Sequence, residues 1–291
     1  MMPTPNQQLP DLDRVLETLD GLPQLPDIAA AMLRLLNQPE NDTEELARII
    51  ASDPALAARV LRVANSSYYG FSRQIKTILD ATVLLGQKTL RNLVLTMALK
   101  GLYRLTDPSE KKLWEESMAH ALGSQFLSTM SGIADPEEAF LAGLLANIGE
   151  LTFLQQHPQA YHNALNNNVT AQCFREQFSL QKLPWSFSQL GAAILTHWKF
   201  SSELVLCTLY SCQPKHPRDM VPEISHLAHL VFVSRCLCCQ LHIGNSRPIC
   251  NQSLDVQLDQ TVLASQRINT QLLQDEFNDL YQKNIQTLLS A

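Results

Sequence analysis

The chain has ten glycines in 291 residues, 7% aromatic residues and only short β-branched runs, so it lacks the material of an extended sheet. It shows no convincing strand, internal repeat or low-complexity tract. Its best apolar runs, "NLVLTMAL" and "LVFV", fall well below the roughly 18 residues that a membrane-crossing helix needs. The opening "MMPTPNQQLP" has no basic start and no apolar core, which excludes a signal peptide and reads as a lead-in. Cysteine is missing from the first 172 residues. The seven cysteines that follow are odd in number and clustered, without the spacing of a disulfide framework, so a reducing cytoplasm is expected. H-E-x-x-H, G-x-S-x-G and G-x-G-x-x-G are all absent.

What is present is Leu and Ala, in a chain that is 45% hydrophobic and large enough for a full core. Helical spacing recurs with short breaks, and the expected fold is all-α. "PDIAAAMLRLLNQ" places Ile28, Met32, Leu35 and Leu36 on one face; "NDTEELARIIAS" opens with Asp42 and Glu45 at capping-box spacing. Ser52 is the candidate N-cap, with Pro54 in the first turn, of a helix striped by Leu56, Val60 and Val63. Further helices are predicted over 77–84, 87–105, 109–131, 136–155, 157–167, 185–198, 201–212 and 219–243, with a last one through Ile268, Leu272, Phe277, Tyr281, Ile285 and Leu288. Within 136–155, "LAGLLANIGELTF" carries the stripe Leu141, Leu144, Leu145, Ile148 and Leu151, with the amide of Asn147 at its edge. A buried amide is costly unless something bonds to it.

Net charge is −6, which argues for a soluble protein and, taken alone, against nucleic acid. The charge is unevenly spread. Residues 55–104 hold eight Lys or Arg, among them Arg59, Arg62, Arg73, Lys76, Lys88 and Arg91, against the single acid Asp80. Such a stretch could meet phosphates, but pairing with the acidic remainder or exposure to solvent is the expected fate of these side chains.

Other candidate chemistry reduces to structure. "LGQKT" at 85–89 lacks the glycine spacing and preceding strand of a phosphate-binding loop. Cys236 and Cys239 have a redox spacing, yet they lie late in an apolar helix and read as small buried hydrophobes. His226 and Cys236 would stand about 15 Å apart along one helix axis, too far to share an ion. The acid pairs Glu44/Glu45, Glu115/Glu116 and Glu137/Glu138 are each expected near a helix start, where carboxylates suit the dipole.

A family resemblance rests on specific residues: Leu22-Pro23, Leu25-Pro26, Asp53-Pro54, Asn65-Ser66, Tyr69-Gly70, Ile75, Ala81 and Leu85-Gly86. The later blocks "LWEESMAHA", "EEAFLAGLLANIGEL", "LGAAILTHWKF" and "VLCTLYSCQP" follow in the right order. The sequence resembles the HDOD domain, the HD-related output domain of bacterial signalling proteins, over about residues 20–243. The resemblance implies an HD-like helical fold with an N-terminal bundle at about 20–106 and an HD-like helical part at about 107–243. Residues 1–19 would be a lead-in with a first helix, and 244–291 a C-terminal helical extension. HD enzymes hold a metal through histidines and aspartates. The positions that match those ligands here are Glu116, Ala146, Asn147, Phe187, Ser211, Cys212 and His229.

Ala146 has no donor atom and Asn147 offers a neutral oxygen in place of a carboxylate. The resemblance therefore implies a scaffold without its metal or any other cofactor, and a non-enzymatic regulatory module that works through a protein partner or a small ligand. A residual metal-dependent phosphohydrolase and a nucleic-acid binder using residues 55–104 are the alternatives. Asn65 and Ser66 are expected to cap a helix end and order the Tyr68-Tyr69-Gly70 turn rather than touch a ligand.

Overall fold

The computed structural model describes residues 12–17, 21–36, 43–66, 68–166, 185–212, 220–244, 254–259, 261–264 and 268–290. The lead-in before Leu12, the Asp42 cap, His216, Cys173 and Cys250 lie outside them. The fold is all-α, and the described residues contain no strand. Their helices are α1 (Leu12–Glu17), α2 (Asp27–Leu36), α3 (Thr43–Ala51), α4 (Pro54–Ala64), α5 (Ile78–Leu85) and α6 (Gln87–Lys100), then α7 (Pro108–Ser131), α8 (Pro136–Leu145), α9 (Ile148–Gln156) and α10 (Pro158–Asn166). After these come α11 (Phe187–His197), α12 (Ser202–Tyr210), α13 (Pro222–Gln240), α14 (Leu254–Asp259) and α15 (Thr270–Ser290).

Three helices begin in the same way, on an Asp-Pro pair. Asp53, Asp107 and Asp135 each turn a carboxylate oxygen onto the two exposed N–H groups that follow, at 2.7 to 3.2 Å. The proline supplies the helical φ at a position that has no N–H partner to lose. This device sets the starts of α4, α7 and α8, and it makes Asp53 the cap of α4 in place of the expected Ser52, whose hydroxyl donates to the Ile49 carbonyl at 2.7 Å instead.

Helix α7, about 36 Å long at the usual rise, is the axle of the second half. It meets α8, α9, α13 and α15, and residues 116–124 are buried on every face. Glu115 and Glu116 therefore stand two turns inside a helix and not at its start, because the helix begins at the Asp107 cap. Phe277 of α15 packs on Phe126 of α7 with ring centroids 6.2 Å apart, and Tyr281 donates to Glu115 at 2.7 Å. At the other end of the chain, α1 lies against α11, the Trp198 indole donates to the Pro23 carbonyl at 3.0 Å, and Gln156 donates to that of Gly21 at 2.8 Å.

Helices α2 to α6 pack on one another as an N-terminal bundle, and α6 joins it to α8. At that seam Glu137 accepts from Thr89 at 3.0 Å, Asn92 at 2.9 Å and Gln125 at 3.2 Å. Burial raises its carboxyl above the usual range even though these donors pull the other way. Tyr68 donates to Gln125 at 2.9 Å, and Tyr68 and Tyr69 line a cavity of about 20 Å³ beside Glu137. The turn after α4 is thus wedged between the two halves.

Asn65 holds that turn at its root. Its amide nitrogen donates to the carbonyls of Leu61 at 2.7 Å and Ile75 at 2.8 Å, and its oxygen accepts from the Ile75 N–H at 2.7 Å. Ser66 contributes its backbone carbonyl, which accepts from Gly70 at 3.3 Å. Asn65→Ala removes three hydrogen bonds, two of them spanning ten residues. It is expected to cost about 2 kcal/mol, seen as a lowered Tm in a thermal melt; an unchanged Tm contradicts this role.

Candidate functional site

The expected single helix over 136–155 is two helices, α8 and α9, that meet at Ala146 and Asn147. The stripe from Leu141 to Leu151 is buried on both sides of the break. The corner is set by close contact. A Cβ on Gly149 would come within 2.1 Å of the Phe187 carbonyl oxygen and 2.5 Å of the Gly191 nitrogen, so α9 approaches α11 more closely than any side chain permits. Asn147 stands at the N-cap of α9, but its side chain caps nothing. It points inward instead, 1% exposed.

Two helices converge on this amide. The Arg235 guanidinium of α13 donates to Asn147 Oδ1 at 3.0 Å. Asn147 Nδ2 donates to Ser117 Oγ of α7 at 3.2 Å and lies 3.4 Å from His120 Nδ1, one turn further along α7. His120 Nε2 is in turn 3.8 Å from Glu116 Oε1. Ser117 Oγ is also 3.1 Å from the Tyr103 hydroxyl, and Ser234, beside Arg235, donates to the His120 carbonyl at 3.0 Å. Arg235 and Glu116, opposite in sign, both act on the Cys238 thiol; its pKa lies well above normal, chiefly from burial.

The cluster is closed. Glu116, His120 and Asn147 are each 1% exposed, and Arg235 is 7% exposed. Just past α13, Gly244 (φ +68) lies over Glu116, so near that a Cβ there would come within 2.7 Å of the Glu116 Cβ. Only glycine fits this lid of backbone.

The other positions that match HD ligands stand apart from the amide. Ala146 ends α8 without a donor. Phe187, at the start of α11, packs on Phe153 of α9 with centroids 5.1 Å apart and the rings tilted by 49°. Ser211 and Cys212 follow the end of α12, and Ser211 donates to the Thr208 carbonyl at 3.3 Å. His229 is on α13 with Arg235 but about 9 Å further back along the axis, its Nδ1 2.7 Å from the Ser225 carbonyl. The α13 residue that reaches Asn147 is Arg235.

The chemistry of the donor set does not fit the metal of an HD enzyme. Asn147 is neutral, its oxygen already accepts from a guanidinium, and a cation brought there would face the fixed charge of Arg235. Among the described residues no three His, Cys, Asp or Glu side chains are grouped so that they could hold an ion. The thiols of α13 are also withdrawn from reaction: Cys236, Cys238 and Cys239 are buried, while burial pushes Cys207 of α12 up to about 12.

Sequence reasoning missed Ser117, His120 and Arg235 as members of one site. Arg235 had a legible signal, since it is the lone charge in "LVFVSRCLCC". An arginine in so apolar a helix is buried only when paired.

The basic residues of 55–104 also separate. Lys88 reaches Asp135 at 2.7 Å and Glu138 at 4.0 Å, and Arg91 is buried within α6. Arg59, Arg62, Arg73 and Lys76 are exposed.

An N-terminal helical bundle joined through α6 and α8 to a second half built around α7 defines an all-α protein of two packed helical parts. The chain belongs to the HDOD domain family, whose model matches residues 22–214. An HDOD domain protein of Geobacter sulfurreducens, itself of unknown function, shares this fold with a TM-score of 0.76 over 95% of each chain at 22% identity. By sequence, the chain is 23% identical over 224 residues to an uncharacterized protein of Treponema pallidum, covering 74% of this chain and 42% of that one. It is 31% identical over 125 residues to the cyclic di-GMP phosphodiesterase CdgJ of Vibrio cholerae, covering 43% of this chain and 28% of CdgJ. The chain thus spans less than half the length of these relatives. No helix among the described residues is long and apolar enough to cross a membrane.

Arg235→Met leaves Asn147 Oδ1 without its donor. The variant is expected to lose about 3 kcal/mol of stability in denaturant unfolding, and Arg235→Lys, which keeps the charge, less. Equal loss in both variants would show that charge has no part in the site.

Proposed function

We infer that this chain is a non-enzymatic signalling module that acts through protein contacts or a small bound ligand. The observation that carries the reading is the Arg235 guanidinium, which holds Asn147 Oδ1 at 3.0 Å in a cluster closed to solvent. The protein's own cation takes the electrostatic part that a bound metal takes in an HD enzyme. It is tethered and permanently protonated, and it cannot generate a hydroxide from water as a metal does. The 1% exposure of Glu116, His120 and Asn147 also leaves a phosphoester no access to them. Such a core serves as a rigid scaffold whose surfaces make the contacts.

A phosphodiesterase reading draws on one relative, CdgJ, and on the His120 and Glu116 side chains that remain beside Asn147. Metal analysis and hydrolysis separate the two. The purified protein, expressed with Fe, Mn or Ni in the medium, is expected to carry none of them in stoichiometric amount. It should hydrolyse neither cyclic di-GMP nor bis(p-nitrophenyl) phosphate above a metal-only control. Stoichiometric metal together with turnover abolished by Glu116→Ala overturns the non-enzymatic reading.

A further inference from the structure

Helix α5 is short and packs one face on α3, α4 and α6, burying Ile78, Ala81 and Thr82. The opposite face carries Leu79 and Val83, one turn apart, which are 54% and 72% exposed. Val83 is the most exposed of the large hydrophobic side chains among the described residues. Two aliphatic side chains standing together in water at this level are a feature of surfaces that meet something.

Cations frame them. Asn65 ties Ile75 to the last turn of α4, so Lys76 follows directly on that tie and Arg62 lies one turn before it on α4. Arg59 lies on the same exposed side of α4 one turn earlier, and Arg73 is in the connecting turn. None of Arg59, Arg62, Arg73 and Lys76 has an acidic side chain within 4 Å among the described residues. Arg59 instead lies near enough to Lys100 to lower its pKa. Lys88, on the next helix, does meet acids, at Asp135 and Glu138. In a chain of net charge −6, four unmatched cations around two exposed aliphatic side chains are a local inversion of the protein's character.

We propose that the face formed by Arg62, Arg73, Lys76, Leu79 and Val83, with Arg59 at its edge, docks an acidic amphipathic segment of a partner protein. Carboxylates on such a segment answer the cations at the rim, and its apolar stripe covers Leu79 and Val83 at the centre. Nucleic acid would answer the cations and the exposed Phe71 beside Arg73, but it would leave Leu79 and Val83 uncovered, because aliphatic side chains offer bases no stacking platform. The surface names the contact that a non-enzymatic module would use and rests on that reading. The metal and hydrolysis assays test the reading without reference to α5, so either can fail alone.

The test measures fluorescence anisotropy of a labelled synthetic helical peptide with leucine along one face and glutamate along the other, titrated with the full chain. Binding that weakens as salt rises is expected. Arg62→Glu with Lys76→Glu, and separately Leu79→Ser with Val83→Ser, should each weaken it by about tenfold or more. Because all four side chains are solvent-facing, circular dichroism melts of both double variants should match the wild type, which keeps a loss of binding from being a loss of folding. The same peptide with lysine for glutamate should not bind. Tighter binding of a mixed-sequence DNA oligonucleotide, unaffected by the Leu79 and Val83 changes, overturns the proposal in favour of nucleic acid. Recruitment to anionic phospholipid vesicles with no peptide binding overturns it in favour of a membrane surface. Peptide affinity equal in the wild type and both double variants overturns it outright.

Discussion

A guanidinium buried in an apolar helix must be satisfied by its surroundings, and the second half of the protein is arranged around that demand. Removing such a charge from water costs several kcal/mol, which only good hydrogen bonds and an opposing charge offset. Arg235 finds its acceptor in Asn147, and Arg235 and Glu116 both act on the Cys238 thiol. To present Asn147 to it, the chain breaks between α8 and α9. To hold the break, α9 must touch α11 at Gly149, and to keep water from Glu116 the chain after α13 must cross it at Gly244. Changing Arg235 therefore affects α7, the α8–α9 corner and α13 together.

This arrangement changes how the family scaffold is understood in this chain. A metal site draws helices together by sharing one ion among side chains from each. Here the same helices are drawn together by a side chain already part of one of them. Covalent attachment fixes that cation beside the Asn147 oxygen.

The N-terminal bundle meets this closed core through a different kind of contact. Tyr68, Tyr69 and Gln125 gather around Glu137 at the seam, so the turn after α4 is packed inward on one side. Its other end leads to Arg73, Lys76 and the exposed side of α5. One short segment of chain therefore touches the interior of the second half and carries part of the outer charged face. A partner on that face would press on residues that lean directly against α7 and α8.

Much of the fold was legible in the sequence, because helical periodicity and Asp-Pro starts are local and each helix reports its own buried face. The turn hallmark at Asn65, the all-α class and the family positions at Glu116 and Asn147 could be read there. The α8–α9 break could not, since the apolar stripe runs through it unbroken and the corner comes from contact with Gly191, more than forty residues away. Nor could the meeting of Arg235 with Asn147, 88 residues apart, or the separation of Lys88 and Arg91 from the exposed cations. The sequence by itself determined the all-α class and most of the helices. Only the tertiary structure decided that Arg235 meets Asn147 and which charges reach solvent, because burial and pairing belong to helices that meet in space and not to neighbours along the chain.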